Sequence, residues 1–507
     1  MYEKIPRKWL RLHQRDNVAV ALTPLAPDDI VEGVPVREDI PVGHKVALKP
    51  IAAGDGVVKY ANLIAVASAP IAPGCLVHIH NAVMPNFVDQ RQSERLSIST
   101  AQTAQTAQTR MFNGIRRLDG GIATRNYVGI LTTVNCSATV ARAIAERYRG
   151  PTLNAWPGVD GVIALTHAHG CAMNRGSEGI RILRRTLAGY ARHPNFGGVL
   201  ILGLGCESNE LAPLLEASGG GDRIRSLNIQ TTGGTRESIE VGAREIEALL
   251  DQAQGISREP LPVSGLSLGL QCGGSDGFSG ISANPALGEA ADLLVAHGGT
   301  AILSETPEIY GAEHLLVARA NSDAVADELE ARVRWWYEHV KASGATLNDN
   351  PSSGNIAGGI TTILEKSLGA VSKAGVSPLS AVYDYAQFID SHGLVFMDSP
   401  GFDPMSVTGQ VASGANLIAF TTGRGSTFGC KPVPSLKLAT NSPLYRRMRD
   451  DMDINCGDIV EGSMTIKEKG REIFEALIAL AGGAPSASER LGFGEAEFAP
   501  WVPGAVT

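Results

Sequence analysis

The sequence predicts an α/β protein in which a small β-rich module at the N-terminus is linked to a core of parallel-sheet, Rossmann-like α/β domains. Three observations predict this class: short runs rich in β-branched residues near the start, a polar low-complexity stretch after them, and alternating strands and helices in the rest of the chain. The 507 residues, 44% of them hydrophobic, suffice for two to four domains with a core in each. We therefore expect a β module at 1–95, a linker at 96–111, a first α/β domain at 112–257 and a second at 258–507.

The N-terminal module is predicted from three short runs at 16–22, 44–51 and 76–83, which glycine, proline and aspartate turns separate. The linker is predicted from 97–111, where the tripeptide Ala-Gln-Thr occurs three times. Small polar repeats of this kind do not bury enough surface to join a core. The module before the linker is therefore expected to fold separately.

The core is predicted from strands that alternate with helices. In the first α/β domain the predicted strands are 126–134, 161–168 and 197–204, and the predicted helices are 137–150, 181–193 and 236–255. In the second domain the predicted strands are 265–272, 393–398 and 416–422, and the predicted helices are 285–299, 322–343 and 466–483. Helical crossovers join parallel strands, so each domain is expected to contain a parallel sheet covered by helices.

Composition excludes several classes of function. The formal net charge is −8, so the chain lacks the basic character that favours nucleic acid. No apolar run approaches the roughly 20 residues that a bilayer requires, and the charged N-terminus lacks the apolar stretch of a signal peptide. Seven cysteines without a Cys-x-x-Cys pair favour neither a disulfide framework nor a zinc ribbon. We expect a cytoplasmic protein that acts on a small molecule, without nucleic-acid or membrane partners, and homo-oligomer formation stays open.

Four cysteines lie in polar or glycine-rich turns that end or follow predicted strands: Cys136, Cys171, Cys206 and Cys272. Ligands in open α/β sheets bind outside the carboxyl ends of the strands, and helix N-termini there favour anions and thiolates. One interpretation is a soft-metal or anion site at this rim. The other is that these are small residues suited to tight packing.

Histidines supply a second set of candidates, as the pairs His78/His80 and His167/His169. Alternate residues of a strand share a face, so each pair could present two imidazoles to one metal; a polar rim or hydrogen-bonded core histidines are the alternative. His44 and Lys59 add acid–base groups to the N-terminal module. Another lysine of the module, Lys45, is expected on a solvated face.

Two glycine- and hydroxyl-rich loops, at 349–362 and 421–432, lack the Lys-Ser/Thr ending of a phosphate-binding P-loop. They suit an anionic, polyhydroxylated ligand, with Arg424 available for a carboxylate. The segment 203–208 resembles a dinucleotide-binding fingerprint, but Ser208 replaces its third glycine. Nicotinamide binding is therefore disfavoured.

At these residues the chain resembles the altronate/galactarate dehydratase family, whose members are sugar-acid dehydratases. The resemblance covers nearly the whole length, and its motifs include LVHIHNA (76–82), LTHAHGCA (165–172), LGLGCESN (202–209), LQCGGSDGFSGISANPALG (270–288), SETPEIYGAEHLL (304–316) and NPSSGNIAGGITTILEKSLG (350–369). It implies that the N-terminal module is an SAF-like domain. In the sulfolactate sulfo-lyase branch of this family the SAF-like and core parts are separate subunits, which implies a functional site that needs both.

The resemblance implies a metal-dependent hydro-lyase that converts a sugar acid, an altronate-like hexonate first and galactarate second, into a 2-keto-3-deoxy sugar acid. The divalent metal is expected to be Fe(II), with Mn(II) as the alternative. Because imidazole suits Fe(II), the expected ligands are His78 and His80, with Cys136, Cys206 and Cys272 as second candidates. His44 or His167 is expected to be the base, and Lys59 is a third acid–base candidate. The expected contacts to carboxylate and hydroxyls come from Arg125, Asn126, Ser275, Asp276 and Arg424.

Two other functions stay open. One is a C–S or other β-elimination on a small 2-hydroxy acid such as sulfolactate. The other is a non-catalytic sugar-acid sensor, which is disfavoured because the glycine-rich motifs are intact and no basic patch or DNA-binding helix pair is evident.

Overall fold

Short antiparallel strands form the N-terminal module around a core of valine, isoleucine and alanine side chains. The computed structural model of the chain describes residues 7–85 and 109–504. One four-stranded sheet contains, in order, Trp9–Leu10, Val18–Ala21, Lys45–Ala47 and Leu76–Val77; a three-stranded sheet contains Gly56–Lys59, Asn62–Ala67 and Ala82–Val83; and Ile30–Val31 pairs with Val34–Pro35. The predicted β-rich module is confirmed.

The prediction of a single strand at 76–83 is wrong. The structure contains two short strands, Leu76–Val77 and Ala82–Val83, separated by a turn. The Asn81 side chain stabilises this turn, because its Oδ1 accepts a hydrogen bond from the His78 amide at 3.0 Å and its Nδ2 donates to the Leu76 carbonyl at 2.8 Å. His78 and His80 therefore do not share the face of one strand.

Residues 96–108 of the predicted linker at 96–111 lie outside the described part of the chain. Its last residue, Met111, begins the strand Met111–Arg116, which pairs antiparallel with Ile122–Ala123 and with Arg258–Pro262. This three-stranded sheet joins the start of the middle domain to the start of the C-terminal domain.

The middle domain has a four-stranded parallel sheet in the order Gly161–Leu165, Tyr127–Thr132, Phe196–Gly203 and Ile224–Asn228. Its helices are Ala138–Glu146, Glu178–Arg192, Leu211–Ala217, Ile229–Thr232 and Thr235–Ala253, with 3₁₀ turns at Asn135–Ser137 and Gly150–Ala155. Alternate strand residues point into two different cores, because helices cover both faces. One of these cores continues into the C-terminal domain. Gly189 lets the helix Glu178–Arg192 lie directly against the helix Asp403–Ala412, since a Cβ at Gly189 would lie 2.3 Å from the Ala412 carbonyl oxygen.

The C-terminal domain has a seven-stranded parallel sheet in the order Leu379–Tyr383, Gly393–Met397, Thr300–Leu303, Ser267–Cys272, Leu417–Thr422, Ser435–Ala439 and Ile454–Asn455. Its helices are Ala283–Ala296, His314–Val317, Asp323–Ala342, Ser353–Ala357, Ile363–Val371, Asp403–Ala412, Ser442–Arg447, Gly457–Val460, Ile466–Ala481 and Ala487–Arg490, with 3₁₀ turns at Val263–Gly265, Thr306–Ile309, Leu347–Asp349 and Ser372–Ala374. From the central strand Ser267–Cys272 the chain first builds the sheet on one side and later returns to the other side. The strand order therefore reverses at Cys272, which is where open α/β sheets bind ligands.

Local sequence signals explain where the long helices begin. Ser177 and Ser322 each accept a hydrogen bond from the amide three residues later, and Thr465 and Glu468 form a reciprocal capping box. The predicted parallel-sheet core is confirmed. Within the described ranges, no helix is both long and apolar enough to span a bilayer.

Candidate active site

Two glycine-rich loops meet where the strand order of the large sheet reverses. The Gly274 carbonyl accepts hydrogen bonds from the amides of Gly423, at 3.1 Å, and Arg424, at 2.8 Å. Gly274 has a φ of +59°, a conformation that favours glycine. The junction brings Ser275, which is buried, close to Arg424, whose side chain is exposed.

The buried carboxylate of Asp276 connects the loops that follow two strands, Ser267–Cys272 and Ser435–Ala439. It accepts hydrogen bonds from Thr440 Oγ1 at 3.0 Å, Asn441 Nδ2 at 3.0 Å, Ser279 Oγ at 3.1 Å and the Phe278 amide at 3.1 Å. Its carboxylate oxygens are thus engaged in holding the loops together. Its predicted contact with substrate hydroxyls stays a prediction.

The N-terminal module docks on the same loops through direct backbone contact. A Cβ on Gly277 would lie 2.2 Å from the Gly43 carbonyl oxygen, and one on Gly359 would lie 2.3 Å from the same atom. Only glycine allows backbones to approach this closely. The docking brings the next residue, His44, which is buried, to the interface between the module and the C-terminal domain.

His44 and His78 form a pair of neutral imidazoles at this interface. Their ring centroids lie 4.9 Å apart, and His78 Nδ1 lies 3.4 Å from Thr361 Oγ1 in the C-terminal domain. Burial lowers the pKa of His44, and burial together with the Lys45 ammonium lowers the pKa of His78 to about 4. His44 Nδ1 lies 3.2 Å from the Val42 carbonyl, which can only accept, so Nδ1 carries the hydrogen and Nε2 keeps a lone pair.

Two lysines of the module are buried against one glutamate of the C-terminal domain. Lys45 Nζ lies 2.8 Å and Lys59 Nζ lies 2.9 Å from the Glu365 carboxylate, and none of the three side chains is more than 3% exposed. Burial alone would raise the pKa of Glu365, but the two ammonium groups outweigh it and lower that pKa to about 2. The expectation that Lys45 is solvated is therefore wrong, because it docks the module. Lys59 is held as an ammonium, since Glu365 more than offsets the effect of burial and raises the pKa of Lys59.

A buried group of metal-ligand type lies at the ends of the two central strands. Ligand atoms of Cys272, Glu305 and Glu308 lie within 4.8 Å of one another, and the three residues are at most 3% exposed. Within the described residues, neither carboxylate oxygen of Glu305 accepts a hydrogen bond. A buried carboxylate without donors requires a proton or a cation, so these donors fit a divalent metal ion.

Two lysines beside this cluster partly neutralise its negative charge. Lys373 Nζ lies 2.9 Å from Cys272 Sγ and 3.7 Å from the Glu305 carboxylate, and Lys366 Nζ lies 2.8 Å from the Glu308 carboxylate. Burial, and then Glu308, raise the pKa of Glu305 well above its ordinary value. Burial raises the pKa of the Cys272 thiol to about 11. A bound cation would favour the ionised form of both groups.

The cluster and the His44 interface are connected through the helix Ile363–Val371. Glu365 on this helix binds the N-terminal module, and Lys366, the next residue, binds Glu308 of the cluster. Both side chains also line one small cavity together with Ser275 and Asp276. The two glycine-rich loops that meet at Gly274, here called the switch-point loops, thus belong to one region with the His44–His78 pair and the Cys272 cluster.

Of the acidic residues in this region, Glu305 and Glu308 were not predicted from the sequence as site residues. The available signal was their position: they follow the strand Thr300–Leu303, as the other polar turns follow their strands. Glu305 also has a φ of +69°, which is rare for glutamate.

Arg125 and Asn126 lie away from this region, before the first residue of the strand Tyr127–Thr132. The Arg125 guanidinium forms a two-point ion pair with Glu489, at 2.6 and 2.9 Å, and donates to three carbonyls. Asn126 Nδ2 donates to the carbonyls of Gly158 and Ala253. Arg125 thus joins the middle and C-terminal domains, and Asn126 joins segments within the middle domain. Their contact with substrate stays a prediction that the geometry does not favour.

His167, Cys136 and Cys206 lie at the carboxyl edge of the other sheet, in the middle domain. His167 Nε2 lies 2.9 Å from the Thr132 carbonyl, and its Nδ1 accepts from the His169 amide at 3.2 Å, so both ring nitrogens are occupied. Burial lowers its pKa to about 4. The geometry favours His44 over His167 as a base, and it separates the two middle-domain cysteines from Cys272.

The fold and the site together define a class of enzyme. Removal of water beside a carboxylate requires a base, an anion-binding group and stabilisation of negative charge. This region contains neutral imidazoles, an exposed arginine and a buried acidic group of metal-ligand type. Three family models match the chain in order: the altronate/galactarate dehydratase SAF domain at 7–85, the second domain of D-galactarate dehydratase/altronate hydrolase at 114–254, and the C-terminal domain of D-galactarate/altronate dehydratase at 263–506.

Similar proteins match over almost their entire length. The chain is 37% identical to an altronate dehydratase of Escherichia coli K12, covering 96% of this chain and 98% of the relative. It is 35% identical to an altronate dehydratase of Bacillus subtilis 168 (94% and 95%), and 34% identical to a galactarate dehydratase (L-threo-forming) of Escherichia coli K12 (94% and 93%). The chain belongs to the altronate/galactarate dehydratase family of hydro-lyases.

Proposed function

We propose that the protein catalyses the metal-dependent dehydration of a sugar acid, an altronate-like hexonate first and galactarate second, to a 2-keto-3-deoxy sugar acid. The observation that carries the proposal is the buried Glu305 carboxylate, which lacks hydrogen-bond donors among the described residues and lies at the ligand-binding edge of the large sheet. The names of its relatives support the substrate class.

Cys272, Glu305 and Glu308 would hold the metal, and a mixed sulfur and oxygen donor set suits Fe(II) at least as well as Mn(II). When bound, the ion supplies Lewis-acid stabilisation for the negative charge that develops beside the carboxylate. His78 and His80 stay the alternative ligand set. His80 is exposed, and neither histidine belongs to a three-ligand group among the described residues.

His44 is the proposed base. Its neutral ring has a free lone pair on Nε2, which accepts the proton from the carbon beside the substrate carboxylate. The resulting imidazolium can return this proton to the departing hydroxyl, so that water leaves without net consumption of protons. The enol product then tautomerises to the 2-keto acid.

Arg424 and the loop around Ser275 are proposed to bind the substrate carboxylate. Arg424 extends from the switch-point loop with an exposed side chain, and guanidinium groups bind carboxylates through two parallel hydrogen bonds. Lys59 is assigned to docking with Glu365 and not to proton transfer, because it is already paired as an ammonium.

The proposal is tested with the full chain under anaerobic conditions, with and without ferrous iron. Altronate, galactarate and other sugar acids are offered, and 2-keto acid is measured; sulfolactate is included, with sulfite as the readout for C–S elimination. We expect iron-dependent 2-keto acid from altronate, loss on chelation and recovery on adding iron. Release of sulfite without 2-keto acid from any sugar acid, or no product at all, would contradict it.

A further inference from the structure

We propose that Cys136, Cys171 and Cys206 bind a four-iron, four-sulfide cluster at the carboxyl edge of the middle-domain sheet. This proposal concerns a site separate from the Cys272 cluster. It does not depend on the dehydratase reaction being correct.

The first observation is the distribution of exposure among the seven cysteines. Cys136, Cys171 and Cys206 are exposed, whereas Cys75 is half-buried and Cys272, Cys430 and Cys456 are buried. Free cysteine is among the most buried residue types and behaves as a small hydrophobic side chain. Packing therefore explains the four less exposed thiols but not the three exposed ones.

The second observation is that all three exposed cysteines follow adjacent strands of one parallel sheet. Cys136 follows the central strand Tyr127–Thr132, and Cys171 and Cys206 follow its two neighbours, Gly161–Leu165 and Phe196–Gly203. The carboxyl ends of neighbouring parallel strands lie side by side. The sheet therefore places the three cysteine loops at one edge.

Hydrogen bonds connect the loop of Cys136 to the loop of Cys171. The Asn135 amide donates to the His169 carbonyl at 3.0 Å, and Asn135 Nδ2 donates to the His167 carbonyl at 3.2 Å. Gly170 contacts the same loop so closely that a Cβ there would lie 2.3 Å from the Thr133 carbonyl oxygen. The loop of Cys136 and the loop of Cys171 are thus held against each other.

The loop of Cys206 is connected to both of the others. The Asn209 amide donates to the Gly170 carbonyl at 3.0 Å, and Asn209 Nδ2 donates to the Thr133 carbonyl at 3.0 Å. Thr133 Oγ1 also donates to the Glu207 carboxylate at 2.5 Å. These hydrogen bonds hold the three cysteine loops in fixed positions relative to one another at the carboxyl edge of the sheet.

The three thiols are too far apart in this structure to share a single ion. Among the described residues, only the Cys272 group has three ligand atoms all within 4.8 Å, so the three exposed sulfurs are spread more widely than that. An iron–sulfur cube carries its thiolate ligands on different iron atoms and therefore spans a wider separation. Gln230 Nε2 lies 3.4 Å from Cys206 Sγ, and amide hydrogen bonds to sulfur are a feature of such sites.

Three thiolates leave one iron of the cube without a cysteine ligand. The other four thiols of the chain are accounted for in the N-terminal module and the C-terminal domain. The fourth iron would thus be open to water, hydroxide, a carboxylate or the half-buried imidazole of His169. The three thiols lose their protons on binding, so cluster affinity rises with pH.

The test uses the full chain, purified without oxygen and reconstituted with iron, sulfide and a thiol reductant. We expect about four sulfide per chain and about four iron in addition to any Fe(II) at the Cys272 site, together with visible charge-transfer absorption and a paramagnetic signal after one-electron reduction. Cys136→Ser, Cys171→Ser and Cys206→Ser should each lose at least half of the bound sulfide. The matched controls Cys75→Ser and Cys272→Ser should keep it.

Circular dichroism and thermal unfolding show that each variant is folded, so loss of sulfide cannot be attributed to unfolding. A reconstituted chain that contains no acid-labile sulfide would overturn the proposal, whether or not Fe(II) occupies the separate Cys272 site. So would a triple variant of the three exposed cysteines that keeps the absorption. None of these readouts requires sugar-acid turnover, so failure here and failure of the proposed dehydration are distinguishable.

Discussion

Glu305 and Glu365 are both buried carboxylates of the C-terminal domain, but their surroundings give them opposite protonation behaviour. Glu365 has two lysine ammonium groups within 2.9 Å and stays ionised, with its pKa lowered to about 2. Among the described residues, Lys373 Nζ is the cation within 4.0 Å of the Glu305 carboxylate, at 3.7 Å, and burial raises the pKa of Glu305 well above its ordinary value. Glu365 is thus fully paired and serves a structural role, whereas Glu305 can still bind a cation.

Replacing Glu305 with glutamine should abolish metal binding without unfolding the protein. The amide keeps the volume of the side chain but cannot supply an anionic ligand. At a metal concentration 100 times the dissociation constant, the wild type should gain about 2.7 kcal/mol of stability, and Glu305→Gln should gain almost none. Thermal unfolding with and without Fe(II) or Mn(II) measures this.

Glu475→Gln is the matched control, because this glutamate pairs with Arg110 at the surface. It should keep the full metal-induced shift. An equal shift in Glu305→Gln would assign the ligands elsewhere, and His78→Asn and His80→Asn then test the alternative set.

His44→Asn should lower kcat by about 100-fold to 10,000-fold, because a positioned general base contributes that much to a proton transfer. His167→Asn should mainly reduce stability, since both of its ring nitrogens are engaged with backbone groups. Steady-state kinetics and thermal unfolding of both variants separate the two roles. A large loss of kcat in His167→Asn, with His44→Asn active, would reverse the assignment.

The pH dependence of turnover follows from the same residue. Burial lowers the pKa of His44, so the neutral base form persists below the usual range for histidine. Activity should therefore be fully present at neutral pH and fall only as the pH drops through the lowered pKa. A profile of kcat/KM against pH, measured with metal saturating, should show an acidic limb below about 6.5, the ordinary histidine pKa. A midpoint above that value would argue against His44.

At the scale of secondary-structure elements, regular stretches could be predicted from the sequence. The helix predicted at 236–255 is Thr235–Ala253, and the strand predicted at 197–204 is Phe196–Gly203. Hydrophobic periodicity determines such elements locally. The strand predicted at 76–83 fails because Asn81 bonds backbone groups of the same segment, and such side-chain contacts compete with a sheet.

The candidate site could be predicted only in part, for a different physical reason. The polar and glycine-rich turns after strands predicted a ligand-binding rim at the carboxyl ends of the strands, including the loop that contains Cys272 and Ser275. The acidic cluster was missed because acidic residues are normally exposed, and only tertiary packing buries Glu305 beside Lys373 and Cys272. Lys45 was misplaced for the same reason, since its partner Glu365 is 320 residues away in sequence.

Glu365→Gln should weaken the contact between the helix Ile363–Val371 and the N-terminal module and so lower the stability of the protein. The substitution leaves two buried ammonium groups without their counter-charge, and breaking a buried pair in this way costs about 3–5 kcal/mol. Denaturant unfolding measures the loss, with Glu475→Gln as a surface control that should change stability by less than about 1 kcal/mol. A change in Glu365→Gln no larger than the control would show that the contact is not stabilising.

The sign of the pH effect on this contact also follows. The pKa of Glu365 is lowered to about 2 in the folded protein, below the value of about 4.3 for an unperturbed glutamate. Its contribution to stability is therefore fully present above the unfolded pKa and is lost as the pH falls toward 2. Glu365→Gln should accordingly be less sensitive to acid than the wild type over this interval.

At the scale of the whole molecule, the proposed reaction requires two parts of the chain, because His44 belongs to the N-terminal module and the metal-ligand group to the C-terminal domain. Gly277→Ala tests this dependence at the point where the parts contact each other. The new Cβ would lie 2.2 Å from the Gly43 carbonyl oxygen, so the module must shift. A displacement of about 1 Å at a reacting group can reduce the rate about 100-fold, and we expect kcat to fall by that order.

The metal-induced thermal shift should survive in Gly277→Ala, because Cys272, Glu305 and Glu308 all lie within the C-terminal domain. Retention of that shift would also show that the variant is folded. Gly255→Ala is the matched control, since a Cβ there meets no atom within 4 Å and kcat should be unchanged. If Gly277→Ala keeps wild-type turnover, the N-terminal module does not supply the base, and the proton acceptor lies in the C-terminal domain or, as His167 does, in the middle domain.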